Sequence, residues 1–165
     1  MTIVTSLQLT DASRVVPPAR AAPSGLTFVQ IHDPAVNERL YTTIGRPLRW
    51  TDRLPWTADR WAAHADSVQT HVAGFGGQTA GYYELHEQGG AVQIAIFGLL
   101  EHARGLGLGG HLLVHALRQG FLLAPRVWVH TCTDDGPHAL ANYQARGLRV
   151  FDVRPERLAP AGNLT

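Results

Sequence analysis

The hydrophobic and polar positions of this chain switch between the two-residue period of strands and the three-to-four-residue period of helices. The clearest case is residues 93–121, where an apolar run at 94–97 precedes a glycine-rich turn and then a helical pattern. The helical part places apolar residues three and four apart, at Leu108, Leu112, Leu113, Ala116, Leu117 and Phe121. This stretch predicts a strand, a polar turn and a long helix in direct succession.

The segments before this stretch predict two helices between strands. Asp33 and Pro34 are typical of a helix start, and Gly45 of its end. Thr57 or Asp59 would cap a second, short helix. Patterns of strand residues, separated by turns at 76–78 and 88–90, occupy 26–31, 70–75 and 79–86.

After the long helix the sequence predicts a strand at 126–133, a helix at 136–146 and a final strand at 148–153. Residues 2–9 alternate weakly and predict a short edge strand. The order indicates an α/β fold with a mixed sheet and helices on both faces. We expect one domain over 1–165, with an N-terminal strand and Pro-rich arm at 1–24, a core at 25–154 and a fraying tail at 155–165.

Composition narrows the class of protein. The chain has 165 residues, 45% of them hydrophobic and 16% charged, which fits one globular domain. No apolar run approaches the roughly 20 residues that span a bilayer, and no secretory signal is visible. Since Cys132 is the only cysteine and the net charge is +1, we expect a reduced, cytoplasmic protein that binds neither nucleic acid nor membrane.

The turn at Gly105–Gly110 presents backbone N–H groups at a helix start, which suits a phosphate. A Rossmann dinucleotide site would need an acidic residue about 20 positions further on, where Val127 to His130 stand instead. A Walker loop would need Lys-Ser or Lys-Thr after the glycines, and neither is present. The turn therefore favours a phosphate-bearing ligand other than those bound by a Rossmann site or a Walker loop.

The pattern R-x-x-G-x-G is met by Arg104, Gly107 and Gly109, and the next helix carries Ala139 and Tyr143 before Gly147-Leu148. In this order the motifs resemble the GNAT acetyltransferase superfamily, with leucine where that family has phenylalanine. The resemblance implies a mostly antiparallel sheet whose fourth and fifth strands splay apart, counting from the strand at 26–31. It also implies an acyl-CoA-dependent N-acyltransferase that moves acetyl from acetyl-CoA to a primary amine by direct attack in a ternary complex.

The resemblance assigns the acyl-CoA contacts to two stretches. Backbone groups of the splayed strand would pair with pantetheine, and N–H groups of the glycine turn would hold the pyrophosphate. Arg104 would add a charge-assisted contact or lie in solvent, and Asn142 would face the cofactor or solvent. The strand residues are Phe97, Gly98, Leu99 and Leu100, and the turn residues are Gly105, Leu106, Gly107, Leu108, Gly109 and Gly110.

Attack on a thioester needs a neutral amine and a proton for the leaving thiolate. Tyr143 stands where the family places that donor. Some family members carry a glutamate base near the position of Gln93, and glutamine cannot take a proton. Glu84 is the best substitute, with Tyr83 and Leu85 on the other side of its strand; Glu101, His130 or a water relay are the alternatives.

The tryptophan- and arginine-rich segment 49–56 is expected to shape the acceptor pocket through Trp50, Asp52, Arg53 and Trp56, for a small-molecule or peptide amine. Two other readings stay open: a catalytically silent acyl-CoA-binding or sensing domain, and a Rossmann enzyme. For the assembly of the chain, a homodimer is left open. His111 and His115 lie four apart, but we expect a solvated stripe with Arg118 and no metal.

Overall fold

The computed structural model describes residues 1–156. It contains seven strands, four α-helices and three short 3-10 turns at Ala12–Arg14, Arg46–Leu48 and Glu101–Ala103. The strands are β1 (Ile3–Leu9), β2 (Thr27–Ile31), β3 (Gln69–Phe75), β4 (Gln78–Gln88), β5 (Ala91–Leu99), β6 (Val127–Cys132) and β7 (Arg149–Pro155). The helices are α1 (Pro34–Gly45), α2 (Ala58–Ser67), α3 (Leu108–Leu123) and α4 (Ala139–Ala145).

One sheet runs through the molecule in the order β2-β3-β4-β5-β6-β1-β7. Every neighbouring pair is antiparallel except β5 with β6. The main core lies between the sheet and α3, where Leu112, Leu113 and Leu117 are buried, and a smaller core beneath α1 contains Leu40 and Ile44. The predicted mixed α/β architecture is confirmed. Within residues 1–156 no helix is long and apolar enough to cross a bilayer.

The N-terminal strand was expected at an edge of the sheet, and that prediction is wrong. β1 lies between β6 and β7 and pairs with both. Its Leu7 and Leu9 are buried in the main core, because alternate positions of the strand face α3. The edges are β2 and β7 instead. The predicted tail falls mostly at 157–165, outside the described residues.

Local sequence signals account for most element boundaries. The carboxylate of Asp33 accepts a hydrogen bond from the N–H of Ala35 and begins α1, and the hydroxyl of Thr57 does the same for Arg60 in α2. The hairpins β3–β4 and β4–β5 each turn on two adjacent glycines with positive φ, at 76–77 and 89–90. Such pairs suit two-residue turns between antiparallel strands.

β5 carries a bulge next to its contact with β6. Glu84 of β4 lies opposite Ile96, whereas Leu85 lies opposite Ile94, so β5 has one extra residue at Ala95. The two parallel strands pair only at Val92–Val127 and Gln93–Trp128, just before the bulge. Beyond it they diverge and leave a notch. The predicted splay of the fourth and fifth strands is thus present. These strands are β5 and β6 here, because the numbering of the structure also counts the N-terminal strand β1.

A cluster of aromatic and histidine rings fastens α3 to the sheet. The hydroxyl of Tyr83 lies 2.6 Å from Nδ1 of His115. Phe28 stacks on His115 at 4.0 Å between ring centroids, and His71 stacks on Tyr83 at 4.9 Å. The expectation of a solvated stripe is therefore wrong for His115. Burial lowers the pKa of His71 to about 4 and also lowers the pKa of His115.

These histidines should make the free energy of unfolding depend on pH. The folded pKa of His71, about 4, lies below its ordinary value of 6.5, so the unfolded chain binds more protons between these values. The stabilisation is complete above about pH 6.5 and is lost as the pH falls toward 4. We expect a loss of about 1–2 kcal/mol from His71 between pH 7.5 and 5, measured by urea unfolding.

The His71→Phe variant keeps a ring against Tyr83 and should show a smaller difference between the two pH values than wild type. His102→Gln, at an exposed site, is the matched control and should keep the wild-type pH dependence. An unchanged pH dependence in His71→Phe would contradict the assignment.

Candidate active site

The notch between β5 and β6 leads directly to the glycine-rich turn. The chain leaves β5 at Leu99, forms one 3-10 turn and reaches α3 through Gly105 and Gly107, both with positive φ (+74° and +76°). Open space surrounds the position of a Cβ at either glycine. α3 begins at Leu108 with no side-chain cap, so its first N–H groups have no side-chain acceptor within the described part of the chain.

These residues fit the diphosphate of an acyl-CoA. The N-terminus of a 16-residue helix with free N–H groups attracts an anion, and the two glycines let backbone approach closely. Past Gln93 no ladder joins β5 to β6 in the described residues, so backbone groups on that side of β5 are open to a ligand. When bound, acetyl-CoA would supply an activated thioester at this notch.

Several of the predicted donor contacts have partners within the protein. Leu100 donates its N–H to the carbonyl of Ala80 at 2.8 Å, so that N–H already serves the sheet. The exposed Arg104 donates from Nε to the carbonyl of Leu99 at 3.3 Å. Asn142 donates from Nδ2 to the carbonyl of Gly109 at 3.2 Å and so joins α4 to the first turn of α3.

Tyr143 lies on α4 and faces the splayed part of β5. Its ring meets that of Phe97 edge-on, with 6.0 Å between centroids. The residue is 6% exposed, and burial, followed by the charge of Asp135, raises the pKa of its hydroxyl well above the usual range. Tyr143 therefore keeps its proton at neutral pH and can act only as a donor there.

Glu84 is fully buried on the face of the sheet that packs against α1 and α2. Its carboxylate accepts hydrogen bonds from Nη1 of Arg53 at 2.7 Å and from Nδ2 of Asn37 at 2.7 Å. Nε2 of His64 lies 2.9 Å and 3.0 Å from the two carboxylate oxygens. Tyr83 points to the opposite face, toward α3, as the strand alternation predicts.

The electrostatics of Glu84 follow from these partners. Burial pushes the pKa of Glu84 upward, but the hydrogen bond from His64 and the charge of Arg53 outweigh it and hold the pKa below its ordinary value. A carboxylate that is ionised and surrounded by donors has little basicity left. Its geometry suits anchoring more than proton abstraction.

Arg53 was expected in the acceptor pocket, and the structure places it in the interior instead. It is 7% exposed, and its guanidinium lies between Glu84 and the rings of Tyr41 and Trp56. Burial of a guanidinium requires a paired carboxylate, which explains why Arg53 and Glu84 lie together. Trp56 likewise packs against Trp61 and His64 of α2, and its buried indole N–H has no hydrogen-bond partner among residues 1–156.

The side chain of Tyr41 fixes the loop 46–57 by two hydrogen bonds. Its hydroxyl accepts from the backbone N–H of Arg53 at 3.2 Å and donates to Oδ1 of Asp52 at 2.6 Å. Burial and this bond to Asp52 raise the pKa of Tyr41 to about 12. Asp52 is exposed, so its second oxygen can meet a ligand while the first is engaged.

Trp50 lies across the far end of the notch, on the α1 side. Its ring lies over Gly98 of β5. A Cβ added at Gly98 would come within 3.6 Å of Cη2 of Trp50 and within 2.7 Å of the side chain of Ile44. The indole N–H donates to Oδ1 of Asp135 at 3.1 Å, and Oδ2 of Asp135 accepts from Thr131 and from the N–H of Cys132. Trp50 thus bridges β5 and the end of β6.

Sequence reasoning did not find the role of Asp135. An aspartate just after a strand is a signal for a side chain that bonds backbone N–H groups nearby, and this is what Oδ2 does. The contact with Trp50 joins positions 85 residues apart, so no local pattern could predict it. Within residues 1–156, no three histidine, cysteine or acidic side chains lie together as metal ligands would.

Comparison with known proteins agrees with this geometry. The model of the acetyltransferase (GNAT) family matches residues 37–148 of the 165-residue chain. A search of curated proteins found no significant match.

Solved structures share the fold. A GCN5-related N-acetyltransferase from Kribbella flavida is 19% identical, with a TM-score of 0.65 over 90% of this chain and 54% of that one. An IAA acetyltransferase from Bacillus cereus ATCC 14579 is 25% identical (TM-score 0.58, covering 78% and 79%). A GNAT family acetyltransferase from Elizabethkingia anophelis with acetyl-CoA bound is 17% identical (TM-score 0.59, covering 79% and 80%).

This chain spans little more than half the length of the Kribbella flavida chain. The similarity to that chain and to the Elizabethkingia anophelis chain, which are both below 25% identity, concerns the fold. The family match covers about two thirds of the present sequence, including the notch, the glycine-rich turn and Tyr143. The chain therefore belongs to the acetyltransferase (GNAT) family.

Proposed function

We propose that this protein transfers an acetyl group from acetyl-CoA to a primary amine. The observation that carries the proposal is the continuity of three features: the notch beyond Gln93, the uncapped start of α3, and Tyr143 against Phe97. Together they offer backbone groups for pantetheine, N–H groups for phosphate and a proton donor, in the order that an acyl-CoA requires. The Elizabethkingia anophelis relative with acetyl-CoA bound supports the choice of donor.

Tyr143 would donate its proton to the departing thiolate. The thiolate is a modest leaving group, with a thiol pKa of about 8.5, and protonation as the bond breaks lowers the barrier. A phenol with the ordinary tyrosine pKa of about 10 already holds its proton at neutral pH, so the proton is available when the thiolate forms. Asp135, whose charge contributes to the raised pKa of Tyr143, also accepts from Trp50 and so places the loop 46–57 near the same point.

Glu84 would fix the acceptor side of the site by holding Arg53 and His64, so we propose it as an anchor of the loop 46–57. The base that deprotonates the amine is then water-mediated or a group nearer the open notch. His130 is a candidate because it is exposed on β6, on the face opposite the α3 core. Trp50, at the far end of the notch, and the exposed Asp52 of the same loop would contact the acceptor.

The Gly107→Ala variant should bind CoA about tenfold more weakly, because alanine at φ +76° strains the turn that presents the N–H groups. Isothermal titration with CoA measures this. Gly25→Ala is the matched control, since Gly25 also has positive φ (+88°) and open space but lies far along the chain from the turn. Equal CoA affinity in both variants would contradict the phosphate site.

The Tyr143→Phe variant should lower kcat for release of free thiol from acetyl-CoA by about 10² or more, with unchanged CoA affinity. The ring is kept, so its contact with Phe97 survives. An unchanged kcat would remove Tyr143 from the chemistry. Tight CoA binding without turnover of any amine by the wild type would favour a silent acyl-CoA-binding domain.

Glu84→Gln separates an anchor from a base. If Glu84 is an anchor, the substitution leaves Arg53 buried without a paired charge. The free energy of unfolding should then fall by about 3 kcal/mol, and the KM for the amine should rise. Arg53→Met should give the same pair of effects, since it breaks the same ion pair. A large fall in kcat with unchanged stability in Glu84→Gln, absent from Arg53→Met, would assign Glu84 as the base.

A further inference from the structure

A cavity of about 340 Å³ lies on the face of the sheet opposite α3. Val92, Val127 and Leu7 face the α3 core, so the residues next to them along their strands face this cavity. The lining residues that matter here are His86, Gln93, Arg126, Trp128, Phe151 and Arg154. None of the functions above uses them.

The cavity borders the point where β5 and β6 part. Gln93 and Trp128, which both line it, form the last register pair between these strands. The notch begins with the next residue of each strand. A molecule held in the cavity can therefore extend along β5 into the notch without crossing the sheet.

The lining is cationic and aromatic. It includes two arginines and two aromatic rings, and no aspartate or glutamate of the described residues lines it. Arg126 donates from Nε to Oε1 of Gln8 at 2.7 Å, and its guanidinium lies 5.1 Å from the ring centroid of Phe151. Within residues 1–156 no carboxylate pairs with Arg126, whereas Arg154 lies 2.8 Å from Asp152. One guanidinium is thus held in place with its charge unmatched.

The neutral side chain of Gln93 also keeps the positive charge of the cavity unmatched. A carboxylate at this position would lie in the cavity with Arg126 and neutralise it. The neutral amide leaves the positive charge available and adds both a donor and an acceptor.

We propose that this cavity binds the anionic end of the acceptor, a carboxylate attached to an apolar or aromatic group. The inference rests on the proposed acetyl transfer. Arg126 would pair with the carboxylate through its forked N–H groups, and Trp128 and Phe151 would contact the apolar group. Phe97 lies four positions beyond Gln93 on β5, about 13 Å at the rise of a strand, so the acceptor is elongated and its amine lies at the other end.

The test compares Gly-Gly-Phe with its C-terminal amide as acceptors, by the rate of free thiol release from acetyl-CoA. We expect the free acid to have at least about tenfold higher kcat/KM. Arg126→Gln should abolish that preference. Arg149→Gln, which alters an exposed arginine of β7 that does not line the cavity, should keep it. Equal rates for acid and amide in wild type would overturn the inference and leave the acetyl transfer intact.

A binding measurement keeps the test independent of turnover. Isothermal titration of 3-phenylpropionate and its amide should show binding of the acid alone by wild type and by Arg149→Gln, and at least about tenfold weaker binding by Arg126→Gln. An unchanged CoA affinity shows that Arg126→Gln is folded. If the acid binds as described but no amine is acetylated, the anion site stands and the proposed reaction fails. No difference between acid and amide, or between wild type and Arg126→Gln, overturns the site.

Discussion

The separation of β5 from β6 is the constraint on which the rest of the molecule depends. Parallel strands normally satisfy their backbone groups along a full ladder, but here pairing stops after Gln93 and Trp128. The bulge at Ala95 turns the strand at this point, so that Ile94 faces α3 while Ile96 faces α1. A sheet that stays paired on both sides of the notch, through β4 and β1, can tolerate the open backbone. The site for the donor is therefore a gap that the fold itself supports.

Burial of charge organises the other side of the site. The loop 46–57 has little regular structure, yet it is held by the ion pair of Arg53 with Glu84 and by the hydroxyl of Tyr41. Such a pair contributes little net stability but strongly disfavours any arrangement in which one partner is buried alone. It therefore specifies where the loop lies, and Trp50 at its start can reach Asp135 across the notch.

Much of the architecture follows from local signals, because caps, glycine turns and apolar periods act within a few residues. The cap at Asp33, the hairpin turns and the long α3 were predictable in this way, as was the glycine-rich turn. The bulge was not, because the run at 94–97 is apolar throughout and its alternation between faces is hidden. The weak alternation of apolar and polar residues in β1 also could not show whether this strand lies at the edge or in the interior of the sheet. Arg53 was expected in the acceptor pocket, because its partner Glu84 is 31 residues away and no local pattern joins the two.

The two faces of the sheet differ in how they hold protons and charge. On the α3 face, burial keeps Tyr83 and Tyr143 protonated and His71 and His115 neutral, so this side holds protons firmly on oxygen. On the opposite face, beyond the helices, Arg126 carries a permanent charge and the surface is open. The proton donor of the proposed reaction, Tyr143, lies on the first face, where it is buried against Phe97. In the proposed acetyl transfer, Arg126 on the second face would hold the carboxylate of the acceptor, and the amine would reach the notch beside Phe97.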